Sequence, residues 1–275
     1  MERRLGGDSS MMKVGLAIVL VMALAAIAGP SLSPYDPAQQ ELRLRLTGPT
    51  VGHPFGLDEL GRDILARVLA GARISFFVSL VVVSVSSLVG TVLGAIAGYF
   101  GGIPDEVISR VTDILLAFPG ILLAIALVAV LGPSLGNVLF ALTIIGWVGY
   151  ARLVRGQVLR AREFEYVRAA EALGATTPRL LLRHIIPTAL PAVVVQATLG
   201  MAGAVLGEAA LSFLGLGVQP PTPSWGSMLN GGRAHLLDAP HLTLFPGLAM
   251  ALLVLGFNFL GDGLRDVADP KGKRR

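Results

Sequence analysis

The chain has 275 residues, 53% of them hydrophobic and only 15% charged, whereas a soluble domain of this size carries about 25% charged residues. Too little charge is present to hydrate a water-facing surface, so a soluble fold is excluded. The absence of cysteine excludes disulfides, thiol catalysis and thiolate metal sites.

From the start, Met11 to Gly29 carries one charge, Lys13, and Ile74 to Phe100 carries none. Each run reaches the roughly 20 residues that a helix needs to cross a bilayer. The runs are continuously apolar and lack the period-two alternation of barrel strands, so helices are expected. The expectation is an all-α integral membrane protein with six spans, at about 12–29, 74–98, 111–131, 137–153, 188–210 and 242–262. Arg3, Arg4 and Lys13 before an apolar stretch ending in Ala26-Ile27-Ala28 also fit a cleavable secretory signal; a retained anchor is preferred. Gly132-Pro133-Ser134-Leu135-Gly136 marks a tight turn, which makes spans three and four an antiparallel hairpin.

The layout divides into residues 1–73 (tail, first span and a Pro-rich outside segment), 74–262 (the main bundle, with a basic loop at about 156–187) and a basic tail, 263–275. Six spans put both termini on one side. That side carries 16 of the 22 Lys and Arg residues, and Lys/Arg excess marks the cytoplasmic face. The net charge of +4 thus follows membrane topology, so nucleic acid is not an expected partner.

The basic loop is the most informative stretch. Phe164, Val167, Ala170 and Leu173/Gly174 recur at helical spacing and form one face, with Glu163, Glu165, Arg168 and Glu171 on the others. Gly174 is a helix stop. Thr177 before Pro178 reads as an N-cap with proline at the first helical position, and Pro187 and Pro191 bend the chain as it re-enters the membrane. The residues themselves leave two uses open for this short helix. Ala169, Ala170 and Gly174 would let a partner approach closely, or the helix would lie on lipid headgroups.

No nucleotide site is expected. A P-loop needs Gly-x4-Gly-Lys-Ser/Thr, and Lys13, Lys271 and Lys273 are followed by Val, Gly and Arg. None of the four histidines forms a metal-ligand pair, and no cofactor is expected. Asp113 and Glu208 are ionisable residues inside spans, Asp113 within reach of Arg110. Ser84, Ser86 and Ser87 have no general base and read as packing. Trp147 and Tyr150 read as membrane-interface residues, and Trp225 as an anchor of the outer loop. Gly90, Gly94, Gly200, Gly203 and Gly207 suit close helix packing.

The stretch Arg168-Ala169-Ala170-x-x-x-Gly174, nine residues, then His184-x-Ile186-Pro187 resembles the EAA loop of ABC importer permeases. It departs from that family's Glu-Ala-Ala…Gly…Ile-x-Leu-Pro at Arg168, His184 and Ile186. The block His53-Pro-Phe-Gly-Leu-Asp-Glu-Leu-Gly-Arg-Asp63, with Gly71-Ala-Arg-Ile-Ser75, is similar to the C-type subunit of dipeptide, oligopeptide and nickel permeases. So are Leu211-Ser-Phe-Leu-Gly-Leu-Gly217 and Gln219-Pro-Pro-Thr-Pro-Ser-Trp-Gly226. The resemblance implies the type I ABC importer (MetI-like) architecture and half of a path for peptides or a solute such as nickel. It implies as partners a second, B-type permease chain, two cytoplasmic ATPase subunits, an extracytoplasmic substrate-binding protein and the lipid bilayer. It also implies that Phe164, Val167, Arg168, Ala169, Ala170, Glu171, Leu173, Gly174, His184, Ile186 and Pro187 form the ATPase-coupling loop. An ion-gradient-driven transporter or channel is the alternative from another class.

Overall fold

The computed structural model describes residues 4–268, so the basic residues from Lys271 to Arg275 and the start through Arg3 lie outside the described residues. The described chain is helical: α1 (Arg4–Leu32), α2 (Ile64–Phe100), α3 (Gly102–Leu116), α4 (Gly120–Leu131), α5 (Leu135–Ala161), α6 (Glu165–Ala172), α7 (Thr177–Arg179), α8 (Ile186–Phe213), α9 (Trp225–Gly232) and α10 (His241–Ala268).

Helix direction follows from which residues meet. A Cβ on Gly90 would lie 2.5 Å from the Trp147 carbonyl oxygen, and one on Gly98 would lie 2.8 Å from that of Arg155; Gly94 faces Ala151 between them. Glycines four apart on α2 therefore meet residues four apart on α5 in the same order. The two helices run parallel with backbones in contact, as small-residue seams allow in lipid, where packing rather than water drives association.

Parallel α2 and α5 require one crossing between them, and α3 with α4 supplies it. Two Arg–Asp pairs hold α3 at the level of Arg152 and Arg155 of α5. From there α4 runs antiparallel along α5, from Ile145 beside Gly120 to the turn before Leu135. The distance from Arg155 back to Leu135 is about 30 Å at 1.5 Å per residue, one hydrocarbon thickness. The third span is thus a broken one: α3 and α4 are bent by 85°, correcting the expected continuous helix over 111–131. Pro119 is the cause, since it lacks an N–H and pushes Phe118 out of the helical region.

Counting the bent pair as one span, the described residues hold up to 6 crossings. Helix α1 runs antiparallel to α10, with Met12 on Gly263 and Ile18 on Gly256, and its far end meets the start of α2 where Gly29 touches Leu69. The described chain therefore begins and ends at the same end of the bundle as the loop around 162–185. We call this the loop end, and the opposite one the cap end.

Two other expected limits move. Helix α2 starts at Ile64, ten residues before the expected span. Helix α8 is the continuation of a helical run from Thr177, so Pro187 and Pro191 are absorbed rather than used as breaks. A π turn, Leu180–Ile185, precedes Pro187 and removes the i→i−4 register that a proline cannot share.

A candidate coupling loop at one end of the bundle

Helix α6 is held at both ends. It opens after Phe164, whose extended backbone begins the helix without a side-chain cap. It closes in a Schellman motif: Gly174 N–H donates to Glu171 O at 2.9 Å and Ala175 N–H to Ala170 O at 3.0 Å. Gly174 sits at φ +85°, a left-handed conformation that costs L-residues and suits glycine. The next helix is capped by Thr176, not Thr177, with Leu180 N–H on the Thr176 carbonyl at 2.9 Å.

The inward and outward faces differ from the expected stripe. Val167 is buried against Val158, Leu180 and Ile185, and Ala170 packs partly beside it. Phe164 lies at the edge, and Leu173 is 89% exposed. Arg168, Ala169, Glu171, Leu173 and Gly174 together present one open shoulder. Of the second half of the motif, Ile186 packs into the core, His184 is half-buried and Pro187 is exposed on α8. Of these, His184 is tied to α6, its backbone carbonyl accepting from the Tyr166 hydroxyl.

Sequence reasoning passed over two supporting side chains. Arg162 donates to the Gly98 carbonyl at 3.2 Å and lies over the Tyr99 ring at 5.5 Å. This fastens the loop to the end of α2, where the last carbonyls lack partners and favour a cation. The Tyr166 hydroxyl donates to His184 O at 3.4 Å, tying α6 to the π turn. Arg168 pairs with Glu163; both are open to water, so the pair adds little to stability.

Asp113 pairs with Arg152 at 2.8 Å rather than with Arg110, which pairs instead with Glu106. Tyr150 is buried, its hydroxyl on the Gln196 carbonyl at 3.4 Å, so it is a packing residue and not an interface one. Ser86 packs on Gly146 of α5.

At the cap end the two remaining motif blocks fold against each other. Asp63 caps α2 by accepting from Ala66 N–H at 2.7 Å, and His53 Nδ1 lies 2.8 Å from its other oxygen. Asp58 accepts from Leu60 N–H, Arg62 N–H and Arg62 Nε within 3.0 Å. The Trp225 indole is fully buried and donates to Val68 O at 3.0 Å, which makes it the anchor that its sequence setting suggests. Glu208 is also fully buried and accepts from Ser212 Oγ at 2.5 Å.

The described residues thus form a bundle of helices long and apolar enough to cross a membrane, with a short exposed helix at one end. The chain belongs to the family described as binding-protein-dependent transport system inner membrane component, which it matches over residues 90–274. Residues 9–49 match the N-terminal TM domain of oligopeptide transport permease C. It is 49% identical over 260 residues to a dipeptide transport system permease protein of Alkalihalophilus pseudofirmus, covering 94% of this chain and 86% of that one. It is 46% identical, over the same shares, to a glutathione transport system permease protein of Pectobacterium atrosepticum. The fold is similar to that of the MetNI methionine ABC transporter in an inward-facing form, with TM-score 0.57 and 20% identity over 74% of this chain and 96% of that one. The chain is thus a membrane permease subunit of an importer, not an enzyme, and membership of this family displaces the gradient-driven alternative.

Proposed function

We propose that α6 is the element through which separate cytoplasmic ATPase subunits drive this permease, and that the solute moved is a peptide or similar amide compound. The observation that carries the first part is the open shoulder from Arg168 to Gly174. An exposed Leu173 sits there at the end of a helix tied to the π turn by buried Val167 and by the Tyr166 hydroxyl on the His184 carbonyl. A surface element that is rigid and apolar at its tip suits transmission of force to a partner. The relatives named above, which move dipeptides and glutathione, support the second part.

In this proposal the loop end is cytoplasmic, which the Lys/Arg excess there supports, and α1 is a retained span, which its packing along α10 supports. A second, B-type permease chain completes the path, two ATPase chains sit below, and a binding protein delivers solute at the cap end. ATP-driven closure then shifts a two-state equilibrium only by binding the two states unequally.

The test is co-purification from detergent with nucleotide present. ATPase subunits are expected with wild type and are expected to be lost with Leu173→Arg, which places charge on the shoulder without backbone strain. Gly174→Arg adds bulk at a left-handed position, and Gly174→Ala separates that strain from the bulk. Retention of the ATPase by both arginine variants would reject α6 as the docking element.

A further inference from the structure

Helices α1 and α10 cover one side of α2 and α8, and on the other side a groove stays open. There α2, α4, α5 and α8 enclose a cavity of about 330 Å3. It extends along α8 from Gln196 to Gly207, about 16 Å at 1.5 Å per residue, which is half of a hydrocarbon core. No Asp, Glu, Lys or Arg lines it. Two of its polar groups are already engaged: Ser86 Oγ donates to Thr143 O at 3.5 Å and the Tyr150 hydroxyl to Gln196 O at 3.4 Å. The Gln196 carboxamide, beside Gly149, makes no hydrogen bond among the described residues.

Gln196, Gly200, Gly203 and Gly207 fall on one face of α8, but the glycines are not equivalent. A Cβ on Gly200 would stand 2.6 Å from the Tyr150 hydroxyl, and one on Gly207 would stand 3.0 Å from Leu142. Those two let α5 side chains come close. At Gly203 a Cβ would meet nothing within 4 Å, so packing inside this chain does not account for a residue that weakens a helix. A free carboxamide turned to lipid is also costly, and the exposed positions of α2 and α10 are mostly apolar, among them Leu80, Leu88 and Leu252.

We propose that this groove is this chain's wall of the translocation path, with Gln196 offering hydrogen bonds to the passing solute and Gly203 setting the width. This rests on the permease function above and adds to it the residues that meet the solute. A charge-free wall with one free carboxamide fits an amide-bearing solute and gives a divalent cation no carboxylate or imidazole ligand; among the described residues no cluster of His, Asp or Glu could hold a metal.

The chain contains no cysteine, so a single introduced thiol is unique in it. In the assembled transporter in vesicles, Gln196→Cys and Gly203→Cys are expected to react with a charged, membrane-impermeant methanethiosulfonate, read by mass on this chain. The rate should change about tenfold between nucleotide-free and ATP-trapped states, while Leu88→Cys stays unlabelled. Labelling of Gly203→Cys by a lipid-soluble maleimide alone would make the groove a lipid face. Labelling by neither reagent, with cross-linking to the second permease chain, would make it an inter-subunit seam; either result overturns the proposal. Uptake should also fall stepwise through Gly203→Ala, Gly203→Val and Gly203→Leu with subunit assembly unchanged. Full uptake by Gly203→Leu, or a loss that only tracks lost assembly, would remove the width-setting role. Failure of the ATPase-docking proposal would show separately, as retention of the ATPase by Leu173→Arg and Gly174→Arg.

Discussion

At the cap end, charge and aromatic surface are buried. Asp58 and Arg62 are each only 11% exposed in their side chains, Asp63 closes α2 from inside, and Trp225 has no solvent contact. At the loop end the same residue types stay wet: Arg168 and Glu163 are both 64% exposed, and Arg152 with Asp113 is nearly as open. The cap end spends its polar groups on holding residues 33–63 against α2 and α10, with Arg67 on the Pro37 carbonyl and beside Asp58, and His241 beside the Leu57 carbonyl, so it behaves as part of the bundle. The loop end spends few on internal stability and leaves Leu173 uncovered. The contrast assigns rigidity to one end and an available surface to the other, which suits a protein that must pass a push from a partner into a bundle.

The strongest way to break that contrast is at Trp225. Trp225→Ala removes a fully buried side chain and its bond to Val68 O, and the expected cost is about 3–5 kcal/mol. This is read as a large fall in the melting temperature in detergent. Trp225→Phe keeps most of the apolar area and should lose only about 1 kcal/mol with the hydrogen bond. A near-normal melt for Trp225→Ala would mean that the cap is not fastened to the bundle through α9.

Asp63 sharpens the same point with a smaller effect. Asp63→Ala deletes the cap on Ala66 N–H and should cost about 0.5–2 kcal/mol. Asp63→Asn keeps a good capping acceptor and changes mainly the contact with His53, so the gap between the two variants measures the cap. Equal melting temperatures for Asp63→Ala and wild type would reject capping as a source of cap-end stability.

Some of this was legible in the residues and some was not. The Gly132–Gly136 turn gave the α4–α5 hairpin because glycine and proline act locally. Gly174 gave the end of α6 for the same reason. The start of α2 was missed because Arg67 and Arg73 read as outside charge, yet Arg67 is buried with Asp58 3.4 Å away, a partner that only the fold supplies. The break at Pro119 was hidden by apolar residues on both sides, which keep the hydropathy of 111–131 high whether or not the helix is straight. Leu173 was placed on the packed face by its spacing. The helix ends there, with backbone angles φ −80°, ψ 5° at its C-cap, so the periodic face no longer applies and the side chain swings outward. In the groove, sequence gave the glycines but not which of them has a neighbour; only the position of α5 separates Gly203 from Gly200 and Gly207.

The smallest expected effect lies at the loop end, where Asp113 of α3 meets Arg152 of α5. Both side chains are more than half exposed, so solvent screens them and a pair of this kind contributes about 0–1 kcal/mol. Asp113→Asn should leave the melting temperature within about 3 °C of wild type, because 1 kcal/mol corresponds to only a few degrees in a chain this long. Asp105 is different: Arg155 donates to both its oxygens, at 2.5 and 2.7 Å, a bidentate pair that fixes orientation as well as charge. Asp105→Asn should therefore cost more than Asp113→Asn and should loosen α3 from α5, read as faster amide exchange over 102–116. If the exposed pair proved the costlier one, the loop end would draw its stability from surface charge, and the division of labour between the two ends would not hold.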